Sequence, residues 1–529
     1  MSEARARAAL DSLAAGPWLA AAALFLAGAV VIGIGVLLLE TFLGDPGIYL
    51  PYARNAAGGD PFSFNPQEFS SGSTSPLWPL LLAPAYGTGA GATGAKVISL
   101  LVSLGALTLT VVAAYRASAH LLVAAIASFL AVPLIGQFGA VMYETPLTTG
   151  LVALSVVVGD RVARDRAREA GPPSAKDLAP LAAVWAMLPL ARPEAAGLVA
   201  LHVLALGITG PFRDRRVLGR LIAAAALAAL PALAYYGYSE LTLGTPSTSS
   251  QGRSFAWREF SGRLGPFYLS LDAVKYVLSP PFVFGFLFGT VGLAFMARGR
   301  RLRWLGLYGL GGIAMYLVLL TFVSPAGYDT RRYFVPVVPL IAVGLAWGLA
   351  HIGHGRRRLP ALGLALALVV APAVLTAATE TRTLRQRDYS LDQIMEREAA
   401  RNVNRLARPG DTALAYEVQV RYFIRPDVQV LSLDGVTDGK VHPYQASADM
   451  AAFLRRYKPR FWIASDATGA SARPYLRRSI LETVIRRFKA EPELREIRVA
   501  GIGFRLAAVR QSPMPAIFGG WTRVFELTY

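Results

Sequence analysis

Cysteine is absent from the 529 residues, so disulfide frameworks, thiolate metal sites and cysteine nucleophiles are all excluded. Histidine is scarce at five, and His120 and His202 lie beside or within apolar runs with no second ligand at metal spacing. They read as packing residues. No phosphate-binding glycine loop and no dinucleotide fingerprint occurs, and there are neither repeats nor low-complexity segments. Charge is thin as well, at 16% of residues, against 54% hydrophobic ones. That balance excludes disorder, coiled coil and collagen, and argues against an ordinary soluble enzyme. What the chain does have is mean hydropathy of +0.43 and long uncharged runs through its first 378 residues. This is the pattern of a polytopic membrane protein. The net charge of +19 then follows from basic loops and calls for no nucleic-acid partner.

A helix needs roughly 20 apolar residues to cross the hydrocarbon core. Trp18 to Leu39 is such a run and is too long for a cleaved signal peptide. Ten more follow: Val97 to Tyr115, Leu121 to Met142, Thr145 to Gly159, Leu178 to Ala191, Ala195 to Gly210, Leu221 to Tyr238, Val277 to Ala297, Trp304 to Val323, Tyr333 to Ala350 and Leu359 to Ala378. Pro76 to Tyr86 is shorter and holds Pro79 and Pro84, which suits a re-entrant or interfacial helix. With eleven spans and an inside N-terminus, the inside segments carry 19 Lys and Arg in 64 residues and the outside loops 9 in 109. Counting Pro76 to Tyr86 as a span would put the clusters at Arg161, Arg213, Arg300 and Arg356 outside, against the positive-inside rule.

The expected fold is an α-helical polytopic membrane domain of about 11 spans over residues 1–378, followed by a small external α/β domain over 379–529. In the latter, Leu391 to Arg408 has helical periodicity, and Thr412 to Tyr416, Val428 to Leu433 and Phe461 to Ala464 read as buried strands. Ser465 to Pro474 reads as a loop, a helix follows around Tyr475 to Phe488, and Glu496 to Val499 with Phe504 to Val509 forms a closing hairpin.

This topology gathers polar residues on the outer side. The first outer loop holds Asp45, Arg54, Asn55, Asp60, Asn65 and Glu68, and later turns hold Tyr143 and Glu144, then Arg192 and Glu194, then Tyr328, Asp329, Arg331 and Arg332. The inner side offers only arginines in tight turns. Polar groups at membrane depth are functional candidates by default. Carboxylates converging with arginines at a lipid boundary suit transfer from a lipid phosphate, because arginine grips the phosphate and a carboxylate takes a proton from the attacking hydroxyl. Such catalysis is largely positioning and electrostatics.

The first loop runs Gly44-Asp45-Pro46-Gly47-Ile48-Tyr49-Leu50-Pro51-Tyr52-Ala53-Arg54-Asn55, then Gly58-Gly59-Asp60-Pro61-Phe62-Ser63-Phe64-Asn65-Pro66 and Gly72-Ser73-Thr74-Ser75-Pro76-Leu77-Trp78. It resembles the corresponding loop of the GT-C superfamily of polyprenyl-phosphate-dependent glycosyltransferases, above all bacterial members similar to the terminal arabinofuranosyltransferase. Tyr143-Glu144-Thr145, Ala191-Arg192-Pro193-Glu194 and Arg332-Tyr333-Phe334-Val335-Pro336 resemble further turns of that family. Gly44 stands in place of the first of two acidic residues and Pro51 in place of an arginine, which puts a two-carboxylate divalent metal site in doubt.

The resemblance implies a glycosyltransferase moving a sugar, arabinofuranose or another pentose or hexose, from a polyprenyl-phosphate donor to a glycan, lipid or protein acceptor. It implies Asp45 as catalytic base, Glu144 as a second catalytic residue, and Arg331, Arg332 and Arg192 as donor-phosphate ligands. Arg54, Asn55, Glu194, Tyr328 and Asp329 complete the expected substrate-binding set. The expected location is the bacterial inner membrane, with the N-terminus cytoplasmic and the site and C-terminal domain extracytoplasmic. Plainer roles stand beside these: Asp45 as the N-cap of a helix starting at Pro46, Glu144 as partner of a helix dipole, Arg331 and Arg332 as interfacial residues, and Arg192 paired with Glu194. Gly309, Gly311 and Gly312 fit close helix packing. A transporter or flippase of a lipid-linked sugar is the alternative function. It would place ionisable groups near the midplane rather than at span ends.

Overall fold

The computed structural model describes residues 17–39, 45–168, 174–209, 215–248, 280–322, 330–352, 358–386, 390–416, 418–445, 447–465, 476, 479–511 and 521–529. Contacts divide the chain into two compact units. The first comprises Met1–Leu39, Lys96–Ala234 and Leu264–Arg385, and the second Glu40–Ala95, Tyr235–Arg263 and Gln386–Tyr529. The first long loop thus groups with the C-terminal residues.

The apolar runs are helical. In chain order the helices are α1 (Pro17–Leu37), α2 (Pro46–Ala57), α3 (Leu77–Gly87), α4 (Gly91–Ser118), α5 (Leu121–Ser128), α6 (Val132–Ala140), α7 (Thr145–Arg168), α8 (Ala175–Ala191) and α9 (Ala195–Gly207). They continue with α10 (Arg215–Leu243), α11 (Pro280–Arg298), α12 (Arg303–Phe322), α13 (Thr330–Phe334), α14 (Val338–Ile352), α15 (Arg358–Ala365) and α16 (Ala371–Gln386). Among the described residues six helices are long and apolar enough to cross a membrane, a bent pair makes a seventh, and three shorter apolar helices accompany them. The protein is an integral membrane protein, and the eleven crossings expected from sequence are not reached among the described residues.

Prolines account for the breaks. The run from Leu121 to Met142 folds as α5 and α6, bent by 54°. Pro133 lacks the amide that would bond back to Phe129, and its ring crowds that carbonyl, so the helix ends there. Between α15 and α16 a π turn, Leu366–Val370, sits just before Pro372 and absorbs the same conflict within a continuous helix. At 11 residues α3 is about half the length needed to span the hydrocarbon core, in keeping with its omission from the span list. Helices α11 and α14 meet backbone to backbone. A Cβ on Gly292 would run into the Gly344 carbonyl, so only glycine permits the approach. The glycines of α12 serve the same end, Gly309 facing Leu293 and Gly312 facing Leu340 and Leu198.

The C-terminal part of the second unit comprises α17 (Ser390–Leu406), β1 (Thr412–Ala415), β2 (Gln429–Ser432), α18 (His442–Gln445), α19 (Met450–Tyr457), β3 (Phe461–Ser465), α20 (Ile480–Ala490), β4 (Glu496–Val499), β5 (Ile502–Gln511) and β6 (Trp521–Thr528). The strand order is β2-β1-β3-β6-β5-β4, with β2, β1 and β3 parallel and the other pairings antiparallel. Side chains alternate between two cores, as strand geometry requires. Leu414, Leu431, Trp462 and Phe525 pack with Phe453, Val484 and Phe488 on one face. Ala413, Val430, Phe461 and Val524 pack with Ala400 and Val403 of α17 and with Ile48 and Tyr52 of α2 on the other. The helix α17, strands β1 to β3 and the β4–β5 hairpin fall where the sequence pattern places them. The expected loop from Ser465 to Pro474 lies, apart from Ser465, outside the described residues. Strand β6, which the sequence reading omits, occupies an interior place between β3 and β5.

Candidate active site

In the first unit, helix ends bring four charged residues together. Arg192 follows α8 in an extended conformation, Glu194 heads α9, Glu144 precedes α7, and Arg332 lies in α13. Arg192 is 2% exposed and Glu144 1%. The Arg192 Nη1 atom is 3.1 Å from Glu144 Oε1, and its Nε is 2.6 Å from Glu194 Oε1. One guanidinium therefore carries two carboxylates from two different turns. Such a buried cation is tolerated because its charge is matched by two carboxylates.

Aromatic rings close the cluster. The Arg192 guanidinium carbon lies 4.5 Å from the centre of the Tyr333 ring. That of Arg332 lies 5.0 Å from Tyr333 and 5.2 Å from Tyr143. Arg332 Nη2 donates to the Tyr333 hydroxyl at 3.2 Å. The ring faces favour cations here while excluding water. Tyr316, fully buried on α12, feels the charges of both Glu194 and Arg192. Its part in the cluster has no signal in the sequence, because it is one aromatic residue within an apolar helix.

The second unit holds the remaining candidates. Asp45 occupies the N-cap position of α2, with Pro46 next, yet its side chain makes no cap hydrogen bond. Its backbone carbonyl accepts from the amides of Ile48 and Tyr49 instead. Asn55 is buried and donates to the carbonyls of Ser63 and Phe64 at 2.9 and 3.1 Å, which holds the loop after α2. Asn65 pairs with both backbone groups of Val430, donating at 3.0 Å and accepting at 2.9 Å, much as a neighbouring strand would. Glu68 pairs with Lys440. Arg54 projects from the last turns of α2 toward Tyr86 and Tyr422, and burial lowers its pKa.

The structure thus brings Glu144, Arg192, Glu194 and Arg332 into one cluster and places Asp45, Arg54 and Asn55 together on or beside α2. Arg331 belongs to α13, but its side chain, like Tyr328 and Asp329 altogether, lies outside the described residues. No group of three or more His, Asp or Glu side chains that could hold a metal ion occurs among the described residues. His202 behaves as expected of a packing residue: it accepts from Trp185 Nε1 at 3.3 Å and stacks on Trp304 and Tyr308. One reading needs correction. The expected inner side holds more than isolated arginines, since Asp160, nearly buried on α7, joins Arg116 at 3.3 Å and Arg164 at 2.9 Å. An aspartate one turn before Arg164 can reach it by helical spacing, whereas its link to Arg116 on α4 needs the fold.

No protein-family model matches the chain, and no curated protein matches it. Solved structures do. Crystal structures of ArnT from Cupriavidus metallidurans, one bound to undecaprenyl phosphate and one in the apo state, each superpose with a TM-score of 0.57. The chain has the ArnT fold. The likeness covers 95% of this chain and 97% of each ArnT chain, at 12% and 13% identity. It therefore extends over the helical region and the α/β region alike, at a level of identity that shows the fold alone.

Proposed function

We propose that the protein is a membrane glycosyltransferase that moves a sugar from a polyprenyl-phosphate donor to a hydroxyl of a glycan, lipid or protein. The observation that carries this reading is the sealed Arg192 cluster, with Arg332 in it, at helix ends of a fold that ArnT uses to hold undecaprenyl phosphate. A pentofuranose such as arabinofuranose is the proposed sugar, on the strength of the first-loop resemblance. Arg332, with Arg331, grips the donor phosphate. Arg192 already has its charge matched by two carboxylates, so it acts by setting Glu144 and Glu194 in place.

The hydroxyl oxygen attacks the anomeric carbon, the bond from that carbon to the phosphate oxygen breaks, and polyprenyl phosphate leaves with the electron pair. Asp45 takes the proton of the hydroxyl. The capping role that competes with this assignment lacks its hydrogen bond. On the positive-inside bias, the first loop with Asp45 and the turns that carry Arg192 and Arg332 are both assigned to the extracytoplasmic side. A flippase would carry its ionisable groups within spans, and here they stand at helix ends. The test is a transfer assay with purified protein in liposomes and a panel of polyprenyl-phosphate sugars. Transfer from at least one donor to added acceptor is expected, and movement of intact donor across the bilayer without transfer would overturn the assignment.

A further inference from the structure

Helix α2 carries a second cation whose surroundings differ from those of the Arg192 cluster. The Nε and Nη2 atoms of Arg54 are buried and have no hydrogen-bond partner. These two atoms form the side-on edge of the guanidinium, the edge that grips phosphate or carboxylate with two parallel bonds. The side groups that bear on Arg54 are the phenols of Tyr86 and Tyr422, and its field reaches Arg421, a second buried cation. Arg421 donates from all three of its nitrogens to the carbonyls of Phe64, Ile424, Arg425, Pro426 and Val428. Arg54 therefore sits in a positive environment with its bidentate edge open, and no carboxylate compensates it among the described residues. Burying such an edge is unfavourable unless an acceptor arrives.

We infer that Arg54 forms an anion-binding site that takes a phosphate group. Part of the Arg54 side chain reaches solvent, so the site is not sealed. It is also separate from Asp45. Nine residues along α2 put about 13 Å of helix between them, too far for one phosphate to contact both. The neighbouring helix α3 exposes Leu80 and Leu81, which brings an apolar surface close to Tyr86 at its end. A lipid headgroup and a phosphate on a soluble ligand share the chemistry. The lowered pKa of Arg54, caused by burial, is what binding an anion would reverse.

The test uses the full chain in neutral detergent and reads the unfolding temperature, so it does not depend on glycosyl transfer. Inorganic phosphate is titrated against chloride at matched ionic strength, and phosphatidylglycerol against phosphatidylcholine in mixed micelles. The wild type should be stabilised by at least one of the two phosphate probes, and Arg54→Gln should lose that shift. Arg54→Lys keeps the charge and loses the fork, so it should lose most of the shift and serves if the glutamine variant does not fold. Stabilisation by phosphatidylglycerol alone would assign the site to a lipid headgroup, and stabilisation by inorganic phosphate to a soluble group. No shift in the wild type, or an equal shift in both variants, would overturn the proposal.

Discussion

Arg192 in the first unit and Arg421 in the second are almost equally sealed, at 2% and 0% exposure, yet they are held by different means. Arg192 is matched by carboxylates from positions 48 residues before it and two after it. Arg421 has no carboxylate at bonding distance among the described residues and is caged by five backbone carbonyls, four of them within seven residues of it. Burial lowers its pKa to about 9, with the charge of Arg54 adding to the effect. A charge matched by ions ties distant segments together and leaves counter-charges behind when it is removed. A charge matched by carbonyls organises its own turn and leaves none. The first arrangement suits the placing of carboxylates from distant turns, and the second suits scaffolding.

The sharpest departure from scaffolding is expected at Asp45. Asparagine has nearly the same shape and caps a helix as well, but it accepts no proton, so Asp45→Asn should cut turnover by roughly 10² to 10⁴ fold. Folding and donor binding should persist. A rate within a few fold of wild type, measured on purified protein, would return Asp45 to structure.

The comparison itself can be broken by removing the two sealed arginines in turn. Arg192→Met leaves Glu144 and Glu194 without their cation and should destabilise by about 3 to 5 kcal/mol. Arg421→Met leaves orphaned carbonyls without a buried counter-charge and should cost about 1 to 3 kcal/mol. Adding Glu144→Gln to Arg192→Met should recover part of the first loss. Denaturant unfolding in detergent measures all three, and equal losses for the two single variants would dissolve the distinction.

Arg332 tests whether the ion-matched cluster meets the donor. Arg332→Ala should weaken donor binding by about 1.5 to 3 kcal/mol, the value of a lost charge-assisted hydrogen bond, and lysine should restore it only in part. Unchanged donor affinity would leave Arg332 as a packing partner of Tyr143 and Tyr333.

A further effect concerns a carboxylate held, like Arg421, mainly by backbone. Asp438 accepts from the amides of Ser432 and Lys440, yet burial raises its pKa from 3.8 to about 6. A raised carboxyl binds its proton more tightly in the folded chain. Its contribution to stability is therefore complete below about pH 4 and lost as pH rises through about 6. The unfolding temperature of wild type relative to Asp438→Asn should fall across that window. A flat difference would show that the backbone amides offset burial.

Much of the fold is legible locally. Most helices of the first unit follow from apolar runs, and the break at Pro133 and the π turn before Pro372 follow from a missing amide. The alternation in β1 and β3 places Ala413 and Phe461 on one face and Leu414 and Trp462 on the other. Strand β6 escapes because Arg523 and Glu526 flank Val524 and Phe525, so no apolar run marks it although both residues are buried, on opposite faces. The candidate site is legible as a set of residue types. Its partnerships are not: Asn55, expected among the substrate ligands, and Asn65, a polar residue of the same loop, use their side-chain amides to hold backbone.

The sequence by itself determined where helices form, where they break, which loops carry charge and which turns resemble a known transferase. All of these depend on neighbours within a few residues, on side-chain volume, hydropathy and the missing amide of proline. Only the tertiary structure decided that Glu144 and Glu194 share one arginine, that Arg332 lies over Tyr143 and Tyr333, that the first long loop groups with the C-terminal sheet, and that Arg54 keeps an open edge. Those outcomes depend on which buried charges find partners across tens to hundreds of residues, and burial makes each such pairing consequential.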